Sequence, residues 1–256
     1  MTHSTCFAYA QARLQARHGL RPTESLWRRL ASTGDLANFL QLAQRSTLRP
    51  WVLGMQAIQS SHALELSLRQ RFRDYTDEVA RWLPGTWGAV VRPVKRLPDL
   101  PALQHLLQGD AALHWMLEDP GLLPFTSDNM VSRLETLRNS DCDYLAVAWQ
   151  HGEPLYKAWL EQWRHQWPAS RRLVSGLAYT SHLFQQYLQE AGRGHTASGG
   201  LLRQQLVAGL NYAFRRYSFE PAAACAHLGL IALDLEKLRG ELLRRALFAE
   251  TAGGLV

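Results

Sequence analysis

The chain has 256 residues, a formal net charge of +6, and 46% hydrophobic and 20% charged residues. This composition excludes a disordered or fibrous chain and allows one large core or two smaller ones. Its apolar stretches are far shorter than the roughly 20 residues of a membrane span, its N-terminus lacks a secretory-signal pattern, and its three cysteines are widely separated. We therefore expect a soluble, cytoplasmic protein without a disulfide framework.

Helical periodicity dominates the first third of the chain. We predict helices over residues 9–18 and 36–45, and a helix between them that Thr23 caps. The clearest helix is predicted over residues 61–83, where apolar residues recur three or four positions apart on one face: Leu64, Leu68, Phe72, Tyr75, Val79 and Trp82. The opposite face is expected to be solvated, and it carries Arg69, Gln70, Arg73, Asp77 and Arg81.

Residues 85–101 hold the one segment with strand-like composition, Ala89 to Val94, and it is flanked and interrupted by prolines. Because a lone strand has no pairing partner, we predict a connector between an N-terminal helical lobe, 1–84, and a C-terminal helical lobe, 102–256; one continuous domain is the alternative. Further helices are predicted over 110–118 with Asp110 as the cap, 128–138, 144–150, 154–167, 170–191, 201–217 and 220–248, with a glycine-rich hinge at 192–200. The expected fold class is all-α, a multi-helix, elongated or funnel-like two-lobed array.

No recognisable catalytic or metal-binding motif occurs in the sequence. There is no His-Glu-x-x-His pair and no Cys-x-x-Cys, and the loop at 192–200 lacks the preceding strand of a phosphate cradle. We therefore expect no catalytic residue, no metal and no cofactor. An enzyme remains an alternative, and it requires a deep pocket that brings together Asp141, Asp143, His151 and Glu153.

Two residue types suggest binding. Trp159, Trp163 and Trp167 repeat every four residues and share a helix stripe, which is typical of a core; a partner-binding surface that includes Arg164 is the alternative. Arginine carries almost all the positive charge, which favours acidic partners, although a GC-rich genome also explains it. The arginine pairs are dispersed along the chain, so the sequence gives no strong nucleic-acid signal.

Both ends of the chain are similar to a known family. The C-terminal segment from Phe219 and Pro221 to Leu238 and Arg239 resembles the closing helix of the V-type ATPase subunit called d in eukaryotes and C in archaea. The N-terminal half has a second point of similarity, in Tyr9 with Arg13, Thr47 ahead of Trp51, and Glu65 between Leu64 and Leu68. The chain departs from the family pattern at three positions, His227, Asp234 and Lys237, and its middle does not align.

The resemblance implies a role for the chain. It implies a non-catalytic, funnel-like helical subunit that couples the central rotor shaft of a proton-transporting ATPase to the membrane ring. Its partners would be other subunits of that complex, and its membrane association would be peripheral, at the inner membrane face and through a partner. The departures favour the alternative of a stand-alone helical scaffold or adaptor that kept the fold without the rotary role.

Overall fold

The chain is helical throughout the part that the structure describes. The structure is a computed structural model that describes residues 3–191 and 199–253. All regular elements within these two ranges are helices, so the all-α prediction is confirmed. Most of the predicted glycine-rich hinge, residues 192–198, lies outside them.

The elements follow one another with short connections. The α-helices are α1 (His3–Gly19), α2 (Glu24–Ala31), α3 (Leu36–Gln44), α4 (Arg49–Val52), α5 (Ser61–Trp82), α6 (Trp87–Val91), α7 (Leu100–Leu107), α8 (His114–Glu118), α9 (Met130–Arg138), α10 (Asp143–Gln150), α11 (Leu155–His165), α12 (Arg171–Ala191), α13 (Gly199–Arg216) and α14 (Pro221–Gly253). Two 3-10 helices lie between them, Arg92–Asp99 and Leu123–Phe125. Within the described ranges, no helix combines the length and apolar character that a bilayer span requires.

Side-chain caps begin several of these helices. The Thr23 side chain accepts a hydrogen bond from the Leu26 N–H at 3.2 Å, which confirms the predicted cap of α2. The predicted Asp110 cap is wrong, because α8 begins only at His114. Gly109, with a φ of 91°, turns the chain here, and the Asp110 carboxylate instead lies 3.2 Å from His105 Nδ1.

The segment of strand-like composition, Ala89 to Val94, is not extended, because residues 87–99 are helical. Val90, Val91 and Val94 are completely buried, so this segment contributes to the core. Pro93 occupies the first turn of its 3-10 helix, where a missing N–H is tolerated. Hydrophobic residues on both sides of the predicted connector belong to one continuous buried cluster.

The long helix α14 lies at the centre of this cluster. It contacts α13, α5, α12, α1, α6 and α3. Its small residues permit close packing: a Cβ on Gly229 would lie 2.8 Å from the Phe184 ring, and one on Gly176 of α12 would lie 2.8 Å from Ala222 Cβ. Helix backbones approach closely where side chains are this small, and this explains the alanine-rich start of α14, of which residues 222–226 are completely buried.

A buried ion-pair network corrects the predicted solvated face of α5. Arg73 donates to both Asp119 oxygens, at 2.6 and 2.8 Å, and to Asp99 Oδ1 at 2.8 Å. Arg69 donates to Glu65 and to Asp99, at 2.9 and 3.2 Å. Burial alone would lower the pKa of Arg73, yet the two aspartates raise it, so the guanidinium stays charged. The network fastens α5 to the 3-10 helix and to the turn after α8.

Candidate functional site

An open cleft of about 800 Å³ lies on the surface of the part of the chain that the structure describes. It lies where the end of α1, the turn between α3 and α4, α5 and α14 meet. Its ionisable side chains are six arginines and three carboxylates, an excess of three positive charges: Arg17, Arg21, Arg45, Arg49, Arg71, Arg81, Asp74, Glu78 and Asp234. A cleft with this charge excess attracts anionic groups.

One face of α5 forms a wall of the cleft. The residues that line it are spaced three or four positions apart, so they lie on one stripe of the helix: Arg71, Asp74, Tyr75, Glu78 and Arg81. The stripe places a positive charge at each end and two carboxylates between them. Asp74 is bonded by a neutral side chain, since its Oδ1 accepts from Gln70 Nε2 at 2.9 Å.

Two of the arginines are held by carboxylates inside the cleft. Arg21 donates from Nε and Nη2 to the two oxygens of Asp234, at 2.7 and 3.1 Å, and thereby ties the end of α1 to α14. Burial raises the pKa of Asp234, while Arg21 acts in the opposite direction. The pair of Arg17 and Glu78, 3.6 Å apart, is more exposed and joins α1 to α5. These two arginines therefore have a structural role.

Arg71 anchors the neighbouring wall. Its guanidinium donates to the carbonyl of Pro50 at 2.8 Å and to the carbonyl of Leu53. Carbonyl oxygens hold the guanidinium in place without neutralising its charge. Arg71 therefore fixes the α4 region against α5 and keeps a full positive charge in the cleft.

The remaining three arginines carry the unpaired positive charge of the cleft together with Arg71. Arg45, Arg49 and Arg81 are exposed, and none of the carboxylates whose side chains the structure describes lies within ion-pair distance of them. Arg81 makes only a 3.3 Å bond to the backbone carbonyl of Asp77. The strongest positive charge therefore lies on the α3–α4 turn and at the C-terminal end of the α5 stripe.

Aromatic side chains line the base of the cleft. The Trp51 ring meets Tyr75 edge-on, with 5.3 Å between centroids. The Tyr75 hydroxyl shares a 2.7 Å hydrogen bond with Nε2 of the fully buried His227, and burial raises the pKa of this tyrosine. Burial and the nearby His18 and arginine charges lower the pKa of His227 to about 3, so it is neutral near pH 7 and adds no charge to the cleft.

The predicted tryptophan surface is buried. Trp159 and Trp163 are 1% and 0% exposed, and their rings stack with centroids 5.4 Å apart. Their indole N–H groups donate to the carbonyls of Pro93 and Val90, at 3.1 and 2.7 Å. The interaction-surface prediction is therefore wrong for these two residues, since the stripe faces the helical segment 87–99; the alternative, a core stripe, agrees with their burial.

The other two members of that predicted surface lie at its edge. Trp167 is half-buried and meets Trp163 edge-on, at 5.4 Å. Arg164 is exposed, and it donates to Ser181 Oγ at 2.9 Å and to Gln185 Oε1 at 2.8 Å. These bonds join α11 to α12, so Arg164 already serves the fold.

The structure brings several of the family-like residues into contact. Glu65 is buried and accepts hydrogen bonds from Arg69 and from Arg239 of α14. Arg13 contacts the Tyr9 hydroxyl and lies over the Trp82 ring, 5.0 Å from its centroid. The N-terminal and C-terminal regions of the resemblance therefore meet at the pair of Glu65 and Arg239.

The start of α14 holds the remaining family-like positions. Phe219 has a φ of 64°, and its N–H donates to Gln11 Oε1 at 3.0 Å. Pro221 then begins α14, and Leu238 is completely buried further along it. Phe219 and Pro221 therefore lie at the turn between α13 and α14, whereas Leu238 is part of the core.

The residues of the enzyme alternative do not line the cleft. Asp141 accepts hydrogen bonds from Arg96, at 3.0 and 3.3 Å, and from the Cys142 thiol, at 3.4 Å. His151 Nδ1 lies 2.8 Å from the Val147 carbonyl at the end of α10. Among the residues that the structure describes, no cluster of three His, Cys, Asp or Glu side chains is arranged to hold a metal ion.

The comparisons with known proteins leave the family open. No protein-family model, curated protein or solved structure significantly matches the chain. The likeness to the V-type ATPase subunit therefore stays a prediction, and the function is argued from the cleft.

Proposed function

We propose that this protein is a helical adaptor, without catalytic activity, that binds other protein chains through the arginine-lined cleft. The observation that carries the proposal is the excess of positive charge in the cleft, where six arginines face three carboxylates. Arginine favours such a role because its planar guanidinium binds a carboxylate through two parallel hydrogen bonds. Clustered arginines also steer an acidic partner toward the cleft.

The aromatic floor also supports protein binding. Trp51 is partly exposed beside the charged residues, and tryptophan and arginine are enriched among the residues that dominate binding energy at protein interfaces. The apolar Trp51 side chain with charged residues around it resembles the usual arrangement of a protein interface, which has an apolar core and a polar rim.

In its more specific form, the proposal is a coupling subunit of the V-type ATPase d/C kind. The family-like residues at the two ends of the chain support it, because Glu65 and Arg239 meet although they are 174 positions apart. Such a subunit would link the central rotor shaft to the membrane ring, and its partners would be the subunits on either side.

A stand-alone scaffold is the second candidate, and the departures from the family pattern support it. Each departure makes a contact in this chain: His227 bonds to Tyr75, and Asp234 pairs with Arg21. The Lys237 ammonium lies 4.8 Å from the centre of the Trp27 ring. Residues that depart from the family pattern and take part in the fold in this way fit an independent role.

Affinity purification of the tagged full chain from its native host tests the proposal. Three proteins are compared by quantitative mass spectrometry: the wild type, the double variant Arg45→Glu with Arg49→Glu, and the control Arg28→Glu with Arg29→Glu. The control changes the net charge equally, at exposed residues of α2 outside the cleft.

Each outcome has a distinct meaning. The coupling-subunit proposal is supported if rotary ATPase subunits copurify with the wild type and the control but not with the cleft variant. A different, reproducible set of partners with the same pattern supports the scaffold. If no partner copurifies above background, the adaptor proposal is contradicted altogether.

A further inference from the structure

We infer that the occupant of the cleft is an acidic polypeptide segment whose carboxylates are spread over about 15 Å, the axial distance between Arg71 and Arg81 at 1.5 Å per helical residue. The inference rests on the proposed function and names the chemistry of its partner. Three observations support it.

The first observation is the distribution of the charges. Arg71 and Arg81 stand at opposite ends of the α5 stripe, while Arg45 and Arg49 lie on the α3–α4 turn. A compact phosphate group cannot reach both ends of the stripe at once, because they lie about 15 Å apart along the helix. A chain of acidic residues reaches them together, since about five extended residues cover the length between Arg71 and Arg81.

The second observation is the carboxylate of Asp74 between the two ends. It is bonded to Gln70, and no cation within the described ranges lies within ion-pair distance of it. A uniformly charged polyphosphate or nucleic-acid backbone would be repelled at this point. A polypeptide can place a neutral or basic side chain there, so the charge pattern favours a polypeptide.

The third observation is the unused bonding capacity of Trp51. Its indole N–H makes no hydrogen bond to the groups that the structure describes, and its ring is partly exposed and lines the cleft. An indole N–H is a donor only. A carbonyl or carboxylate of a bound chain would accept this bond, while an apolar side chain of the same segment packs on the ring.

A direct binding measurement tests this inference. Fluorescence anisotropy is carried out at physiological salt with a labelled ten-residue peptide of glutamates that has two glycines at its centre, with a labelled ten-nucleotide oligothymidine as the second probe and unlabelled tripolyphosphate as a competitor. We expect saturable peptide binding that Arg45→Glu with Arg49→Glu weakens about tenfold or more, because two charge-assisted contacts become repulsive. The Arg28→Glu with Arg29→Glu control should change affinity less than about twofold, since exposed charges outside the cleft are screened.

A substitution with the opposite sign strengthens the test. Asp74→Asn removes the one repulsive carboxylate that lacks an ion-pair partner, so it should tighten binding of the peptide about twofold or more. A general loss of folding would weaken binding in every variant, and a tighter complex therefore excludes that explanation. Circular dichroism of each variant confirms that the helices are intact.

Several results would overturn the inference. The inference would be wrong if peptide binding did not saturate by about 1 mM, or if both double variants lost affinity equally. Tighter binding of the oligothymidine with the same arginine dependence would identify a nucleic-acid site, and displacement of the peptide by stoichiometric tripolyphosphate would identify a compact phosphate site.

Failure of this inference is distinguishable from failure of the adaptor proposal. Native partners that copurify independently of Arg45 and Arg49 would preserve the adaptor and place its interface elsewhere. Specific peptide binding without any native partner would preserve the acidic ligand and contradict the adaptor.

Discussion

Asp119→Asn tests whether the buried ion-pair network stabilises the fold. Asp119 is fully buried and accepts two hydrogen bonds from Arg73 and one, at 2.8 Å, from the Gly121 N–H. Asparagine keeps the shape, but it removes the negative charge and turns a donating amide toward a guanidinium that also only donates. Loss of one partner from a buried ion pair costs about 3–5 kcal/mol, and we expect a decrease of that size in the free energy of unfolding.

Urea unfolding at pH 7, followed by circular dichroism, measures this loss. The matched control is Asp77→Asn, because Asp77 is on α5 as well but is 43% exposed, with its nearest cation, Lys95, at 3.4 Å. An exposed pair contributes about 0–1 kcal/mol. If Asp119→Asn costs less than about 1 kcal/mol and resembles the control, the network does not stabilise the fold as argued.

Three further predictions, which use four substitutions, follow from the packing. Acidification from pH 6.5 toward 4 should lower the free energy of unfolding of the wild type, because His227 binds a proton with a pKa near 6.5 in the unfolded chain and only near 3 when buried. His227→Gln should reduce the pH dependence of this free energy, measured by urea titration, by up to about 1.4 kcal/mol per pH unit. An unchanged slope would refute the prediction. Trp163→Phe should cost about 2–4 kcal/mol in the same assay, because a buried carbonyl loses its donor and a cavity remains; a neutral effect would contradict the buried stripe. Gly88→Ala should lower the free energy of unfolding by about 1–3 kcal/mol, because the new Cβ would lie 2.5 Å from the Ala80 carbonyl oxygen. Gly240→Ala, where the new Cβ meets open space on α14, should raise it by up to about 1 kcal/mol. Changes of the same sign in both variants would refute the close packing at Gly88.

The sequence predicts α5 well because its signal is local. Apolar residues at spacings of three and four identify both the helix and its buried face, and Leu64, Phe72 and Val79 are indeed buried. Thr23 is likewise recognisable as a cap from its immediate neighbours. Such features depend on residues within a turn or two of one another.

Longer-range contacts could not be predicted from the same pattern. Arg73 has the spacing of a solvated residue, and its partners Asp99 and Asp119 are 26 and 46 positions away. The tryptophan stripe has a related ambiguity, because periodicity shows that residues share a face without showing what the face meets. The carbonyl that binds Trp163 is 73 positions earlier in the chain.

The cleft is another consequence of tertiary structure. Its arginines come from α1, the α3–α4 turn and α5, and along the sequence they are indistinguishable from the other dispersed arginines. A partial signal was present on α5, where Tyr75 of the apolar face is flanked by Arg71, Asp74 and Glu78 on the same side of the helix. Aromatic residues bordered by charges in this way mark the edge of a buried face, where binding surfaces occur.

The central position of α14 has a consequence for how the chain folds. α14 follows every other helix in the sequence, yet it contacts α1, α3 and α5 from the opposite end of the chain. During synthesis, the apolar faces of these early helices remain partly exposed to solvent until α14 leaves the ribosome. Folding therefore completes late, and chains interrupted before α14 would expose the surface that it buries and become targets for chaperones and proteases.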